Sequence, residues 1–153
     1  MPNVISNSSC LIAPDNIDMV SILRKLYGKI YLTGEVYHEF GRSVEDWIEI
    51  KQVSNKHYIQ ILNQSVDLGE SSTIALSLEL TDSLMILDDF KARKLANGLN
   101  LKFTGLLGVI LKAKQEGVIQ SVSEVLNKLK AVNFRISQAI ENEVLRLANE
   151  AEL

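Results

Sequence analysis

Several oxygen-bearing side chains stand directly after short apolar segments of this chain. Asn7 follows Val4-Ile5-Ser6, Asp88 and Asp89 follow Leu84-Met85-Ile86-Leu87, and Thr104 closes Leu101-Lys102-Phe103-Thr104. Two further acids, Glu39 and Glu70, lie in segments with helical spacing. If the apolar segments are strands of one open α/β sheet, these groups gather beyond the strands' carboxyl ends, where such sheets bind ligands. Oxygen donors drawn from distant parts of a chain suit hard cations such as Mg²⁺ or Mn²⁺, with water completing the shell.

Each residue also has an ordinary structural role open to it. An acid after a strand is often a turn former or a helix cap, which applies to Asp88 and Asp89 alike. Asp67-Leu68-Gly69-Glu70 has the spacing of a capping box, with Asp67 as cap and Glu70 reaching back. Glu39 taken alone reads as a solvated helix residue, and His38 and His57 as surface residues. Cys10, beside Leu11-Ile12, reads as a small buried hydrophobe. The chain contains neither a glycine-rich phosphate loop nor a Gly-x-Ser-x-Gly nucleophile elbow.

The elements that must position these groups alternate between strand and helix. After the opening strand, the three-residue spacing of Ile17, Val20, Leu23 and Leu26 predicts a helix from Asp15 to Leu26, stopped by Gly28. Lys29–Leu32 predicts a strand. Thr33 caps a helix carrying Glu35, Val36, Glu39 and Phe40 that ends at Gly41. A strand within Trp47–Val53, a helix over His57–Asn63 and an apolar helix over Ser71–Leu80 follow. Leu84–Leu87 is continuously apolar, as a parallel strand buried on both faces should be. Beyond it come a helix over Ala92–Leu99, the strand ending at Thr104, and three helices: Leu106–Glu116, Val122–Lys130 and Ser137–Glu150. Ser121 or Ser123 caps the second of these and Ser137 the third. The alternation implies a doubly wound α/β/α sandwich with a mostly parallel central sheet.

The 153 residues, 46% hydrophobic and 23% charged, suit one globular domain over 1–153, with C-terminal helices from about 106 onward. No apolar run approaches the roughly 18 residues that span a bilayer, and Met1-Pro2-Asn3 opens no signal peptide, so a cytoplasmic location without membrane association is expected. One cysteine excludes an internal disulfide and a Cys-rich zinc site. The net charge of −3 and the lack of a Lys/Arg run argue against strong nonspecific nucleic-acid binding. They leave room for a nuclease, because bound cations offset a carboxylate cluster locally.

Val4-Ile5-Ser6-Asn7-Ser8-Ser9-Cys10-Leu11-Ile12-Ala13 resembles the first motif of PIN domains, in which a strand ends in Asp. Val36-Tyr37-His38-Glu39-Phe40 is similar to the second, Leu68-Gly69-Glu70-Ser71-Ser72-Thr73-Ile74-Ala75-Leu76 to the third, and Leu84–Arg93 to the last. Thr104–Ile110 and Phe134-Arg135-Ile136-Ser137 resemble a compact prokaryotic branch of the family. The resemblance implies a PIN-like fold and a metal-dependent endoribonuclease using Mg²⁺ or Mn²⁺. Its ligands would be Glu39, Glu70 and Asp89, with Asn7 in the aspartate slot and Asp88 competing with Asp89. Ser8 and Thr104 would contact phosphate. RNA, single-stranded or structured, is the implied partner. An antitoxin protein and a second copy of the chain are further expectations, since many small prokaryotic members resemble toxins of type II toxin–antitoxin pairs. Asn7 departs from the pattern. A unit charge pair about 4 Å apart is worth roughly 4 kcal/mol at an effective dielectric of 20, so losing the aspartate charge weakens metal binding and with it the activity. The alternative is a catalytically inactive PIN-like module that binds RNA or a protein partner.

Overall fold

The computed structural model describes residues 2–150. Met1 and the last three residues of the expected 1–153 span lie outside the described residues. The elements run β1 (Asn3–Ser6), α1 (Ser9–Asn16), α2 (Ser21–Tyr27), β2 (Ile30–Leu32), α3 (Gly34–Phe40), β3 (Ile48–Ile50) and α4 (Lys56–Leu62). They continue with α5 (Leu68–Glu79), β4 (Ser83–Ile86), α6 (Phe90–Gly98), β5 (Lys102–Thr104), α7 (Leu106–Gln115), α8 (Val122–Ala131) and α9 (Gln138–Leu147).

The five strands form one sheet in the order β3-β2-β1-β4-β5. Every pairing is parallel, so the expected "mostly parallel" sheet is wholly parallel among the described residues. In the central pair, Val4 lies opposite Leu84, Ile5 opposite Met85 and Ser6 opposite Ile86. Successive side chains leave a strand on opposite faces, and the two layers of helices follow from that alternation. Val4, Leu84 and Ile86 pack in the cluster that holds side chains of α1, α2, α7 and α8. Ile5 packs with Ala75 and Leu76 of α5, and Met85 with Ile74 of α5 and Ala92 and Ala96 of α6. Ile5, Met85, Ile86 and Leu87 have no exposed surface. Burying each contributes about 1.5–3 kcal/mol, which fixes the register that sets the strands' polar ends side by side.

The chain order reverses at β1, which pairs with β2 on one side and β4 on the other. A crevice opens at such a switch point, outside the strands' carboxyl ends. Asn7 and the Asp88-Asp89 pair stand there. The Asn7 amide extends the ladder by donating to the Ile86 carbonyl at 3.0 Å, and Leu87 donates to the Thr104 carbonyl at 2.8 Å.

The helix expected over Asp15–Leu26 is in fact two. The first begins earlier, at Ser9, and ends at Asn16. Asp18 then takes a left-handed conformation (φ 54°) before α2 begins at Ser21. The apolar spacing of Ile17, Val20, Leu23 and Leu26 runs through this break because all four side chains pack on the same core cluster. Other bounds shift: the helix expected from Ser71 starts at Leu68, the one expected from Ala92 starts at Phe90, and the last helix ends at Leu147 rather than Glu150, while the strand expected within Trp47–Val53 is Ile48–Ile50.

Candidate active site

Two helix starts build the acidic part of the crevice. At α5, Glu70 N donates to Asp67 Oδ1 at 2.9 Å, and Asp67 N donates to Glu70 Oε2 at 3.3 Å. This is the capping box that the spacing of Asp67 and Glu70 signals. At α6, Asp89 is the N-cap, and its Oδ2 accepts from Ala92 N at 3.0 Å. Each cap orients its carboxylate over the first turn of its helix, where the helix dipole favours negative charge.

Burial overrides that preference at Glu70. The residue is 8% exposed. Desolvation, and then the neighbouring charges of Asp67 and Asp89, push its carboxyl up from the ordinary 4.5 to about 7. Glu39 is drawn into the same neighbourhood from α3. Its carboxylate occupies the space that a β-carbon on Gly69 would fill. Its pKa is raised as well, by desolvation and by Asp67. The Asp67 charge thus acts on both Glu39 and Glu70, and Asp89 adds to it at Glu70.

The adjacent aspartates turn to different neighbours. Asp89 faces α6 and the field of Glu70. Asp88 faces the other way: its Oδ1 accepts from Leu106 N at 3.2 Å and from Arg93 Nη2 at 3.3 Å, while Cys10 Sγ donates to its Oδ2 at 3.4 Å. Asp88 thus ties the starts of α1 and α7 together at the end of β4. Cys10 is fully buried, and burial followed by the Asp88 charge raises its thiol pKa well above the ordinary value, so it stays a protonated donor. The expectation of a small buried residue rather than a nucleophile fits that environment.

Asn7 is 5% exposed and Ser8 9%, both at the entry to α1. Ser8 begins that helix without a side-chain cap bond. Thr104 is half-buried at the end of β5. Among the described residues no three His, Cys, Asp or Glu side chains stand close enough to hold one ion. The donor chemistry suits a hard divalent cation to the extent that the groups are carboxylate and amide oxygens, with Asp67 and Asp89 adding like charge at the buried Glu70. Asp67, Glu70 and Asp89 each direct one oxygen to a backbone amide. Each has a second oxygen left for an ion.

Three further side chains take part, of which Arg93 carries no signal in the sequence and Thr33 and Asp67 are legible only as caps. Arg93, one helical turn beyond Asp89, donates through Nε to the Leu87 carbonyl at 2.6 Å as well as to Asp88. Thr33, expected only as a cap, also shares a hydrogen bond of 2.7 Å with Ser72 Oγ, which locks α3 against α5 and so places Glu39 beside Gly69. Asp67 was legible as a cap, but its charge on both glutamates was not.

A wholly parallel five-stranded sheet between helices, with Asn7, Asp88 and Asp89 just past its two middle strands, is an α/β/α sandwich. A family model described as a PIN domain matches residues 3–150, and the chain belongs to the PIN-domain family. No curated protein matches the chain significantly. Among the described residues, no helix is long and apolar enough to cross a membrane.

Proposed function

We propose that this chain is a metal-dependent endoribonuclease weakened by Asn7. The observation that supports the reading is the buried Glu70 carboxyl, beside Asp67 and under the charge of Asp89, raised to about 7. Glu70 and Asp89 would hold Mg²⁺ or Mn²⁺ through the oxygens their cap bonds leave free, with Glu39 of α3 as the third carboxylate. Asn7 would offer its amide oxygen without a charge, and Asp88 stands as an alternative donor where Asp89 stays committed to its cap. Ser8 and Thr104, neutral hydroxyls at the ends of β1 and β5, would contact the RNA phosphates. When bound, the cation supplies a water of lowered pKa and neutralises charge on the attacked phosphate. A toxin-like role with an antitoxin partner, and a homodimer, belong to the same reading and rest on the family resemblance.

A second reading, a non-catalytic module that binds RNA or a protein, is favoured by a specific observation. The caps at α5 and α6 already give Asp67, Glu70 and Asp89 structural work. The two readings separate in a Mn²⁺ titration by calorimetry at pH 7.5. A catalytic site binds Mn²⁺ in the natural chain, and Asn7→Asp tightens binding by at least about tenfold, a discounted share of the roughly 4 kcal/mol of one charge pair. Binding in neither protein would leave the acids as caps.

A further inference from the structure

We infer that the cleft beside Asp88 and Thr104, closed by the Phe134-Arg135-Ile136-Ser137 segment, is a nucleotide subsite flanking the acidic crevice. The inference rests on the ribonuclease reading and names the surface that holds the RNA next to the cut.

The cleft has a volume of about 690 Å³, with Asp88, Arg93, Phe103, Thr104, Phe134 and Arg135 among its walls. It begins where the candidate site ends, since Asp88 and Thr104 border both. Its electrostatics run against those of the whole chain. The protein carries a net charge of −3, yet Asp88 is the only carboxylate among the described residues lining the cleft. Asp88 is already matched by Arg93 and by the Leu106 amide. Arg135, exposed at the mouth, is the remaining charge, so the cleft is locally cationic. A cation beside a candidate phosphodiester site suits a phosphate of the polyanionic backbone.

The rest of the wall suits a base. Phe103 and Phe134 are half-buried, with part of each side chain left open to the cleft. The Arg93 guanidinium lies over the Phe103 ring at 5.4 Å from its centroid. Aromatic faces and guanidinium planes are what unstacked bases of single strands stack on. A double helix presents no free base to such a cleft, so the occupant is a nucleotide of single-stranded RNA.

The test is fluorescence anisotropy with a short labelled single-stranded RNA, in EDTA so that no cleavage intervenes. It compares the natural chain with Arg135→Ala, Arg135→Lys and Ile140→Ser; Ile140, 51% exposed, also lines the cleft. The expected result is about tenfold weaker binding for Arg135→Ala, with the salt slope reduced by about 1, and recovery of that slope in Arg135→Lys. If the natural chain binds RNA and Arg135→Ala binds equally well, the subsite is overturned while the ribonuclease reading stands. If the natural chain neither binds RNA nor cleaves it with Mn²⁺, both fall. If Ile140→Ser splits a dimer without changing RNA affinity, the cleft is an interface between copies and the subsite is overturned.

Discussion

Replacing Glu70 by Gln should stabilise the cation-free protein, and by an amount that depends on pH. The folded-state carboxyl titrates at about 7 against an ordinary 4.5, so between those values the native state holds a proton that the unfolded state has lost. Stability therefore falls as pH rises from about 4.5 to 7, and stays lower above that. The full shift corresponds to roughly 3 kcal/mol, and relaxation around a side chain at the rim of a crevice reduces this to about 2 kcal/mol. Gln keeps the reciprocal cap, because its amide oxygen still accepts from Asp67 N, so the substitution removes charge and little else. Urea unfolding in EDTA at pH 5 and pH 8 measures the effect. The two proteins should have similar midpoints at pH 5, and the variant should lead by about 2 kcal/mol at pH 8 with an unchanged slope. Saturating Mn²⁺ at pH 8 should raise the natural protein's stability and leave the variant nearly unmoved. A natural protein whose stability is flat from pH 5 to 8, or a variant with no advantage at pH 8, would refute the reasoning that burial among like charges defines the site.

Other expectations follow from the same geometry. Glu150 accepts hydrogen bonds from Val122 N, Ser123 N, Ser121 Oγ and Lys114 Nζ. Burial pushes its carboxyl up, but these bonds win and hold it at about 2. The stability it contributes is full above about pH 4.5 and is lost as pH falls toward 2, so Glu150→Gln should lower the unfolding free energy measured in urea by about 1–2 kcal/mol at pH 6, with the gap closing toward pH 2. Gly69→Ala should displace the Glu39 carboxylate from the crevice. Calorimetry should then show about tenfold weaker Mn²⁺ binding, while unfolding shows stability unchanged or raised by up to about 1 kcal/mol from the better helix former.

Much of the fold was legible because local chemistry and tertiary packing agree. Thr33, Asp67, Ser121 and Ser137 cap the helices where their spacing places caps, and Gly28 and Gly41 end helices in positive-φ conformations. The continuous apolar run before Asp88 forms β4, the neighbour of the central β1. The break between α1 and α2 was illegible because the periodicity passes through it. The turn is made by Asp18, a residue type that tolerates φ > 0 without demanding it. In the candidate site, the positions of Asn7, Asp88, Asp89 and Thr104 at strand ends were readable from pattern. The divergence of Asp88 from Asp89 was not, since it depends on Cys10, Arg93 and the Leu106 amide arriving from three separate elements. The grip of Glu150 on α8 joins residues 28 apart, and nothing in its neighbours along the chain announces it.

The central claim is tested most directly by incubating labelled single-stranded RNA with Mn²⁺ and the natural protein, Asn7→Asp or Asp89→Asn. The account expects slow cleavage by the natural chain, faster cleavage by Asn7→Asp, and none by Asp89→Asn or in EDTA. Cleavage that survives both Asp89→Asn and EDTA, or a lack of cleavage even in Asn7→Asp, would contradict it.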